Sequence, residues 1–495
     1  MRSPISVAVP LLSLALAGAA QAQQGTLAGR ITTEGGMAVP AAQIQVLGAA
    51  PGTGVLSDDQ GRYRILLPEG TYDLVVTSIG SREHRIDNVQ VVEGQTTTLD
   101  IVLATRVEEL DPLQVTASRG VQERQTETVA QVHSVTATEI AERPAQTLTD
   151  YIRTAPGVDV ITQGLQSTNV VVRGFNNIFS GALHMLTDHR LASVPSLRVN
   201  LMHFIPATEL DVERMEVVLG PGSALYGPNT ANGVVHVLTK SPLDYPGTTV
   251  TLGAGERSVF QGSLRSAWLL TERFGFKVSG QYLRGDEWPH VDPTEEFARL
   301  QAANPSTRPI CIQDAEIRGL STPSANAACD RVGIRDYDIE RWGAEVRADW
   351  RFADDGTVVA TYGRTSSTGI ELTGLGAGQA KDWVYQFFQA RVSKGRFFGQ
   401  AYYNTSDAGD TYLLQSGLPL VDRSGLFVAQ LQHGVGLLDG REDLTYGVDF
   451  FATRPDTEGT INGVYEPDDD IDEIGVYLQS RTALTDQLDL VLAGR

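Results

Sequence analysis

Ala344, Val346, Ala348, Trp350 and Phe352 alternate with Glu345, Arg347, Asp349 and Arg351. Side chains of a strand point to opposite faces in turn, so this segment has one apolar face and one fully charged face. Leu444, Tyr446, Val448 and Phe450 repeat the pattern against Thr445, Gly447 and Asp449, and Ile474, Val476 and Leu478 repeat it again. Beyond Pro246 there are about ten to twelve such segments, each near ten residues long, which is the pattern of a transmembrane β-barrel with lipid outside and water within. A soluble β-sandwich also alternates, but the number of strands and the long gaps between them favour a barrel. Trp268, Trp350, Phe397, Tyr403 and Phe451 stand near segment ends and are expected to form interfacial girdles.

The remaining features agree with export. Arg2, an apolar run from Val7 to Ala17 and the small-residue site Ala20-Gln21-Ala22 make a signal peptide over residues 1–22, with the mature chain starting near Gln23. The apolar run is too short to span a bilayer, and no later stretch reaches the length a transmembrane helix needs. Membrane crossing therefore falls to strands. The formal net charge of −21 opposes nucleic-acid binding. Cys311 and Cys329 are the only two cysteines, and in an exported chain they are expected to close a long extracellular loop as a disulfide. No metal site is expected, because no histidine or second cysteine pair stands at ligand spacing.

Residues 23–103 read as a β-sandwich. Tyr63, Ile65 and Leu67 alternate, Pro68-Glu69-Gly70 turns, and Tyr72, Leu74 and Val76 alternate again, which predicts a hairpin. The stretch resembles the carboxypeptidase regulatory-like domain, whose signatures fall on Asp58 to Tyr63 and Pro68 to Tyr72. Residues 104–120 read as a linker, and the weak patterning runs on to residue 135. Thr136 and Glu139 stand at capping-box spacing, and Leu148, Tyr151 and Ile152 share a helical face, so two short helices are expected. With strands near Asn169–Arg173, Leu183–Thr187, Arg214–Leu219 and Val234–Leu238 they make a small α+β unit over residues 121–242.

Inside that unit lies "MEVVLGPGSALYGPNTANGVVHVLTK", from Met215 to Lys240. Its glycines fit neither phosphate-binding motif: no Lys-Ser or Lys-Thr follows Gly227, and Leu225 interrupts the dinucleotide spacing after Gly220 and Gly222. Together with Arg173-Gly174-Phe175 and the segment from Ile205 onward, it resembles the end of the plug domain of TonB-dependent outer-membrane receptors. The likeness covers about residues 110–495. It implies a mainly β chain in three parts: N-terminal β-sandwich, small α+β plug, and incomplete antiparallel transmembrane β-barrel over residues 243–495.

The resemblance further implies that Arg173, Gly174, Phe175, Glu213, Arg214, Glu216, Gly220, Pro221, Gly222, Tyr226, Gly227, Asn232 and Gly233 serve plug packing and coupling. Leu110, Asp111, Pro112, Leu113, Gln114, Val115, Thr116 and Ala117 are similar to a TonB box, a strand offered for edge-to-edge capture. Two positions depart from the family: Leu219 replaces the usual Arg before Gly-Pro, and His189 replaces a Gly after Asp188. His184, His189 and Arg190 are the candidates for contact with ligand, and His203 falls in the same region.

The acidic run from Glu466 to Glu473 lacks the glycine and spacing of an EF-hand and reads as a solvated loop. No Gly-x-Ser-x-Gly elbow occurs, so no catalytic site, enzyme activity or cofactor is expected. The family's barrels have more strands than this, and an open sheet leaves unpaired edges in hydrocarbon, so a fragment is expected. The expected function is outer-membrane import of a scarce nutrient. The expected partners are TonB with its inner-membrane ExbB and ExbD motor, outer-membrane lipid and a small ligand. The rival reading is an adhesion or polysaccharide-binding protein anchored by the strands.

Overall fold

A computed structural model describes residues 24–103 apart from 34, 50–52 and 79–83, and residues 114–495 apart from 119–120, 125–129, 144, 177–182, 221–225, 227–229, 375 and 486. The predicted signal peptide and the first half of the TonB-box-like segment lie outside the described residues. The chain divides into two units, Met1–Asp111 and Pro112–Arg495.

The first unit is a sandwich of strands β1 (Gln24–Thr33), β2 (Gln43–Leu47), β3 (Gly54–Leu56), β4 (Arg62–Pro68), β5 (Gly70–Thr77), β6 (His84–Val91), β7 (Thr96–Thr98) and β8 (Ile101–Leu103). One sheet runs β4-β1-β7, with β8 also on β1; the other runs β3-β2-β5-β6. The hairpin predicted at Pro68-Glu69-Gly70 is therefore not formed, because β4 and β5 belong to different sheets. Both strands turn the predicted residues inward, and Tyr63, Ile65, Leu67, Tyr72, Leu74 and Val76 share one core. Alternation identifies the buried face of a strand; it carries no information about which neighbour is hydrogen-bonded.

Both sequence signatures of this unit have physical reasons. Asp58 Oδ1 accepts from the amides of Gln60 and Arg62 at 2.9 and 2.8 Å, closing a turn in which Gly61 has φ +73°. A Cβ on Gly61 would stand 2.4 Å from the Ile31 carbonyl oxygen. The Tyr72 hydroxyl donates to the Pro68 carbonyl at 3.0 Å, and that of Tyr63 to Leu99 at 2.7 Å, so each buried phenol is satisfied.

In the second unit, β9 (Gln114–Ser118) pairs antiparallel with β10 (Val121–Arg124), and β11 (Gln131–Thr136) follows. The stretch expected as linker, 104–120, thus holds strand β9. The Thr136 hydroxyl and the Glu139 carboxylate exchange capping contacts at the start of α1 (Ala137–Glu142), and α2 (Leu148–Ile152) comes next. Strands β12 (Val158–Thr162) and β13 (Thr168–Val172) form a hairpin. A five-stranded sheet has the order β11-β16-β17-β14-β15, with β14 (Leu183–Thr187), β15 (Arg190–Leu191), β16 (Val212–Leu219) and β17 (Gly233–Thr239). Ile140, Tyr151, Ile152, Met215, Val217 and Val235 fill the core between helices and sheet.

The third part is a ladder of twelve strands: β18 (Gly247–Ala254), β19 (Phe260–Thr271), β20 (Phe274–Asp286), β21 (Asp338–Ala353), β22 (Gly356–Thr373), β23 (Gly376–Lys394), β24 (Phe397–Asp407), β25 (Tyr412–Leu413), β26 (Gly425–Leu437), β27 (Glu442–Arg454), β28 (Ile471–Thr485) and β29 (Leu488–Gly494). Every pairing is antiparallel, β25 is a stub on β23, and β18 and β29 each have one partner.

Burial in this ladder is the reverse of a soluble protein's. On β21, Val346 and Trp350 are exposed at 47% and 52%, whereas Glu345, Arg347 and Asp349 are buried at 1%, 4% and 1%. A face that hides charge and shows apolar groups suits lipid outside and a polar interior, and a water-soluble sandwich would reverse it. Trp268, Trp350, Phe397 and Tyr403 lie on the outer face as expected. Phe451 does not: it is buried at 7% and points inward.

Turn length differs between the two ends of the ladder, although β22 and β23 meet over a two-residue connection at the long-loop end. β19–β20, β21–β22 and β23–β24 each turn over two residues, while residues 287–337, 408–424 and 455–470 connect strands at the opposite end. Short turns face the periplasm and long loops the exterior in barrels of this kind. The longest connection is not the open loop expected. It folds into α3 (Pro293–Ala303), α4 (Arg308–Ile317) and α5 (Thr322–Arg331), and the Cys311–Cys329 disulfide joins α4 to α5 with Cα atoms 6.1 Å apart.

Candidate functional site: the contact of plug and wall

The buried charges of the strand wall find their partners on the plug. Asp211, at the end of the turn before β16, receives Arg265 of β19 at 2.8 Å and Lys277 of β20 at 2.5 Å. Lys277 also donates to Thr239 Oγ1 and to the Lys240 carbonyl, both at 2.9 Å. Arg347 of β21 bridges the same place, bonding Thr239 Oγ1 at 2.9 Å, Asp188 Oδ2 at 3.3 Å and its strand neighbour Asp349 at 2.7 Å. Asp188, in the turn between β14 and β15, also accepts from the amide and hydroxyl of Thr239 at 3.0 and 2.6 Å. Burial pushes its carboxyl up, but Arg347, Arg391 and Lys277 outweigh that and hold it well below the usual carboxylate range.

Such a cluster is a poor source of net stability, because each charge has lost its water. It is highly selective in geometry, since any displacement strands buried charge. Apolar packing also joins plug and wall, with Leu186, Leu191 and Tyr226 against Tyr402, Leu426 and Val428.

Above the cluster the candidates His189 and Arg190 are also packed against the wall. Arg190 is fully buried; its Nη1 donates to the Tyr385 hydroxyl at 2.6 Å and to Asn404 Oδ1 at 3.2 Å, and its guanidinium lies 3.4 Å from the Phe387 ring centroid. His189 adopts φ +70°, the conformation that a glycine at this position supplies freely. Its ring fills the space instead, 4.7 Å from the His236 ring and 5.2 Å from Phe398 on the wall. The His189 amide donates to His236 Nε2 at 3.0 Å, which requires a neutral His236. Burial, helped by Arg214 and Arg391 against the pull of Asp188, lowers His236 to about 3. His184 is buried on β14, and His203 pairs with Glu371 at 3.0 Å.

The glycine-rich segment answers to packing. Gly220 has φ +104°, and its amide donates to the Asn232 carbonyl at 3.0 Å. A Cβ on Gly233 would come within 2.3 Å of the Val218 carbonyl oxygen. Tyr226 packs with Tyr402, Leu426, Val428 and Phe451 of the wall, which is why Phe451 points inward. Pro221, Gly222 and Gly227 lie outside the described residues. Arg214 joins Glu213 at 2.6 Å and the fully buried Glu216 at 2.8 Å. Arg173, at φ +49°, reaches Gln131 on β11 at 3.3 Å, and Gly174 leaves room for Asn232. Phe175 is 96% exposed and touches no core. Leu219, where the family has Arg, joins the plug's apolar core. Of the TonB-box-like residues, Gln114, Val115, Thr116 and Ala117 lie in β9, whose second edge carries no strand among the described residues.

Sequence reasoning singled out neither Asp211, Thr239 and Lys277 nor Arg265. The signal was the charged face of strands such as β21, which demanded buried partners somewhere.

Residues 124–234 match the TonB-dependent Receptor Plug Domain, and residues 26–104 match the Carboxypeptidase regulatory-like domain. Plug, polar-faced wall and these matches give the chain a plug domain and a strand architecture similar to those of TonB-dependent outer-membrane receptors. The chain is 30% identical over 199 residues to the vitamin B12 transporter BtuB of Vibrio vulnificus (strain CMCP6), a match covering 40% of this chain and 32% of BtuB. A double mutant of the ferric enterobactin receptor PfeA of Pseudomonas aeruginosa has the same fold, with TM-score 0.50, 16% identity, and coverage of 77% of this chain and 58% of that one. A mutant of PfeA in complex with enterobactin likewise gives TM-score 0.50 and 16% identity, covering 73% and 57%. The chain thus spans about a third of the curated relative and under three-fifths of the solved receptors. The matched proteins are receptors and transporters, not enzymes.

Proposed function

We propose that the protein binds a scarce extracellular nutrient at the long-loop end and passes it to the periplasm when TonB, driven by ExbB and ExbD, displaces the plug. The observation that carries this reading is the wall contact of Asp188, Asp211 and Thr239, a charged and hydrogen-bonded interface that water replaces when the plug is pulled. The free edge of β9 supports capture by a partner strand, since main-chain hydrogen bonds transmit force without requiring a particular side chain.

Import and binding separate in one experiment. Deleting Leu110 to Ala117 from the full-length receptor is expected to abolish TonB-dependent uptake while equilibrium ligand binding at the cell surface stays unchanged. Uptake that survives the deletion sinks the TonB-box assignment.

A further inference from the structure

At the long-loop end, between the plug turn Val194–Leu201 and the outer ends of β22 and β23, lies a cavity of about 230 Å³. Val194, Leu197, Val199, Trp383, Leu420 and Ile461 make its wall largely apolar. A cavity of about 150 Å³ already holds a benzene-sized guest, so one ring with a short side chain fits here. Two carboxylates line it, those of Glu371 and Asp422. Glu371 Oε2 accepts from Ser167 at 2.7 Å, and its Oε1 lies 3.0 Å from His203 Nε2, a cation when protonated.

Asp422 is different. It is 1% exposed, and the hydroxyls of Ser424, Ser406 and Ser196 face its carboxyl. Ser424 bonds it through Oδ1, and the hydroxyls of Ser406 and Ser196 stand within reach of the carboxyl, but every one of these partners is neutral. Burial raises its pKa, the mark of a carboxylate without a counter-charge. Among the described residues no Lys or Arg lines the cavity, and Arg198, Arg423 and Arg454 nearby are each paired with acidic groups.

We propose that this cavity takes the apolar body of an organic cation, with Asp422 as the group that receives its ammonium. The inference rests on the receptor reading in one respect, that this end faces outward. A protonated amine would supply the counter-charge that Asp422 lacks, while the apolar wall accepts the ring or chain attached to it.

Calorimetric titration of the purified receptor in detergent, without TonB, tests this with 2-phenylethylammonium, the neutral 2-phenylethanol and the anionic 3-phenylpropionate. The ammonium is expected to bind at least about tenfold more tightly than the alcohol, and the carboxylate not to bind. Asp422→Asn should lower the ammonium to the alcohol's affinity and leave the alcohol unchanged. Leu197→Trp, at the half-exposed rim, should block both and serves if the first variant fails to fold. Equal affinities for the three probes, no binding at all, or an ammonium affinity unmoved in both variants overturns the proposal. Binding by purified protein but not by intact cells supports the cavity assignment and overturns the outward orientation instead.

Discussion

At the scale of single residues the second unit is governed by charges that water does not reach. Asp211 is the sharpest case, because Arg265 and Lys277 both depend on it and both are buried. Asp211→Asn keeps the shape and removes the charge, and breaking a buried pair in this way costs about 3–5 kcal/mol. The expected result is a lower urea midpoint for the detergent-solubilised protein and earlier proteolytic release of the plug; an unchanged midpoint would deny the cluster its role. His236 provides a pH test. Its folded pKa, about 3, lies below the ordinary imidazole value, so the unfolded chain binds the extra proton. The stability it contributes is complete above about pH 6.5 and is lost as pH falls from there toward 3, amounting to about 2 kcal/mol between pH 7 and pH 5. His236→Gln retains an acceptor for the His189 amide and should flatten the stability profile across that window.

Among elements, the three helices of the longest connection teach the most. Their sequence is rich in Pro, Asn, Ser and Ala and reads as loop, yet Pro293, Pro309 and Pro323 each stand in the first turn of a helix. Proline is well suited there, since the first-turn amides have no intrahelical acceptor. Asp292 confirms the start of α3 by accepting from the Thr294 amide at 2.8 Å. Helices of ten or eleven residues are marginal alone. The cystine between α4 and α5 should therefore contribute about 3 kcal/mol by the chain-entropy estimate. Replacing Cys311 and Cys329 by serine is expected to raise amide exchange across residues 293–331 and leave the barrel strands protected. Exchange that remains as slow as in the parent would show that packing alone holds the helices.

For the whole molecule, the N-terminal sandwich has its own core and its own satisfied phenols. Removing Gln23 to Leu103 is expected to leave ligand affinity at the long-loop end intact, measured by equilibrium binding on cells. Affinity lost with the sandwich would favour the adhesin reading, in which that unit does the recognition. The plug and the wall are not separable in this way, because buried charges of each pair across their contact.

Much of this architecture was legible in local pattern. Alternation marks which face of a strand is apolar, capping residues mark α1, and the segment from Met215 to Lys240 identifies the plug, because all of these depend on neighbours a few residues apart. Strand partners do not: β4 and β5 look like a hairpin and lie in separate sheets, since both pairings bury the same side chains. Nor does the inward turn of Phe451, which follows from Tyr226 lying across the interior. The ionic contact is the clearest division. Glu345, Arg347 and Asp349 announce a charged face in the sequence, but Asp188, Asp211 and Thr239 become its partners only when the plug, distant along the chain, is enclosed by the wall. Desolvation then acts on both at once, and Coulomb attraction in a dry interior favours the arrangement that brings Asp188 and Asp211 against Arg347, Arg265 and Lys277.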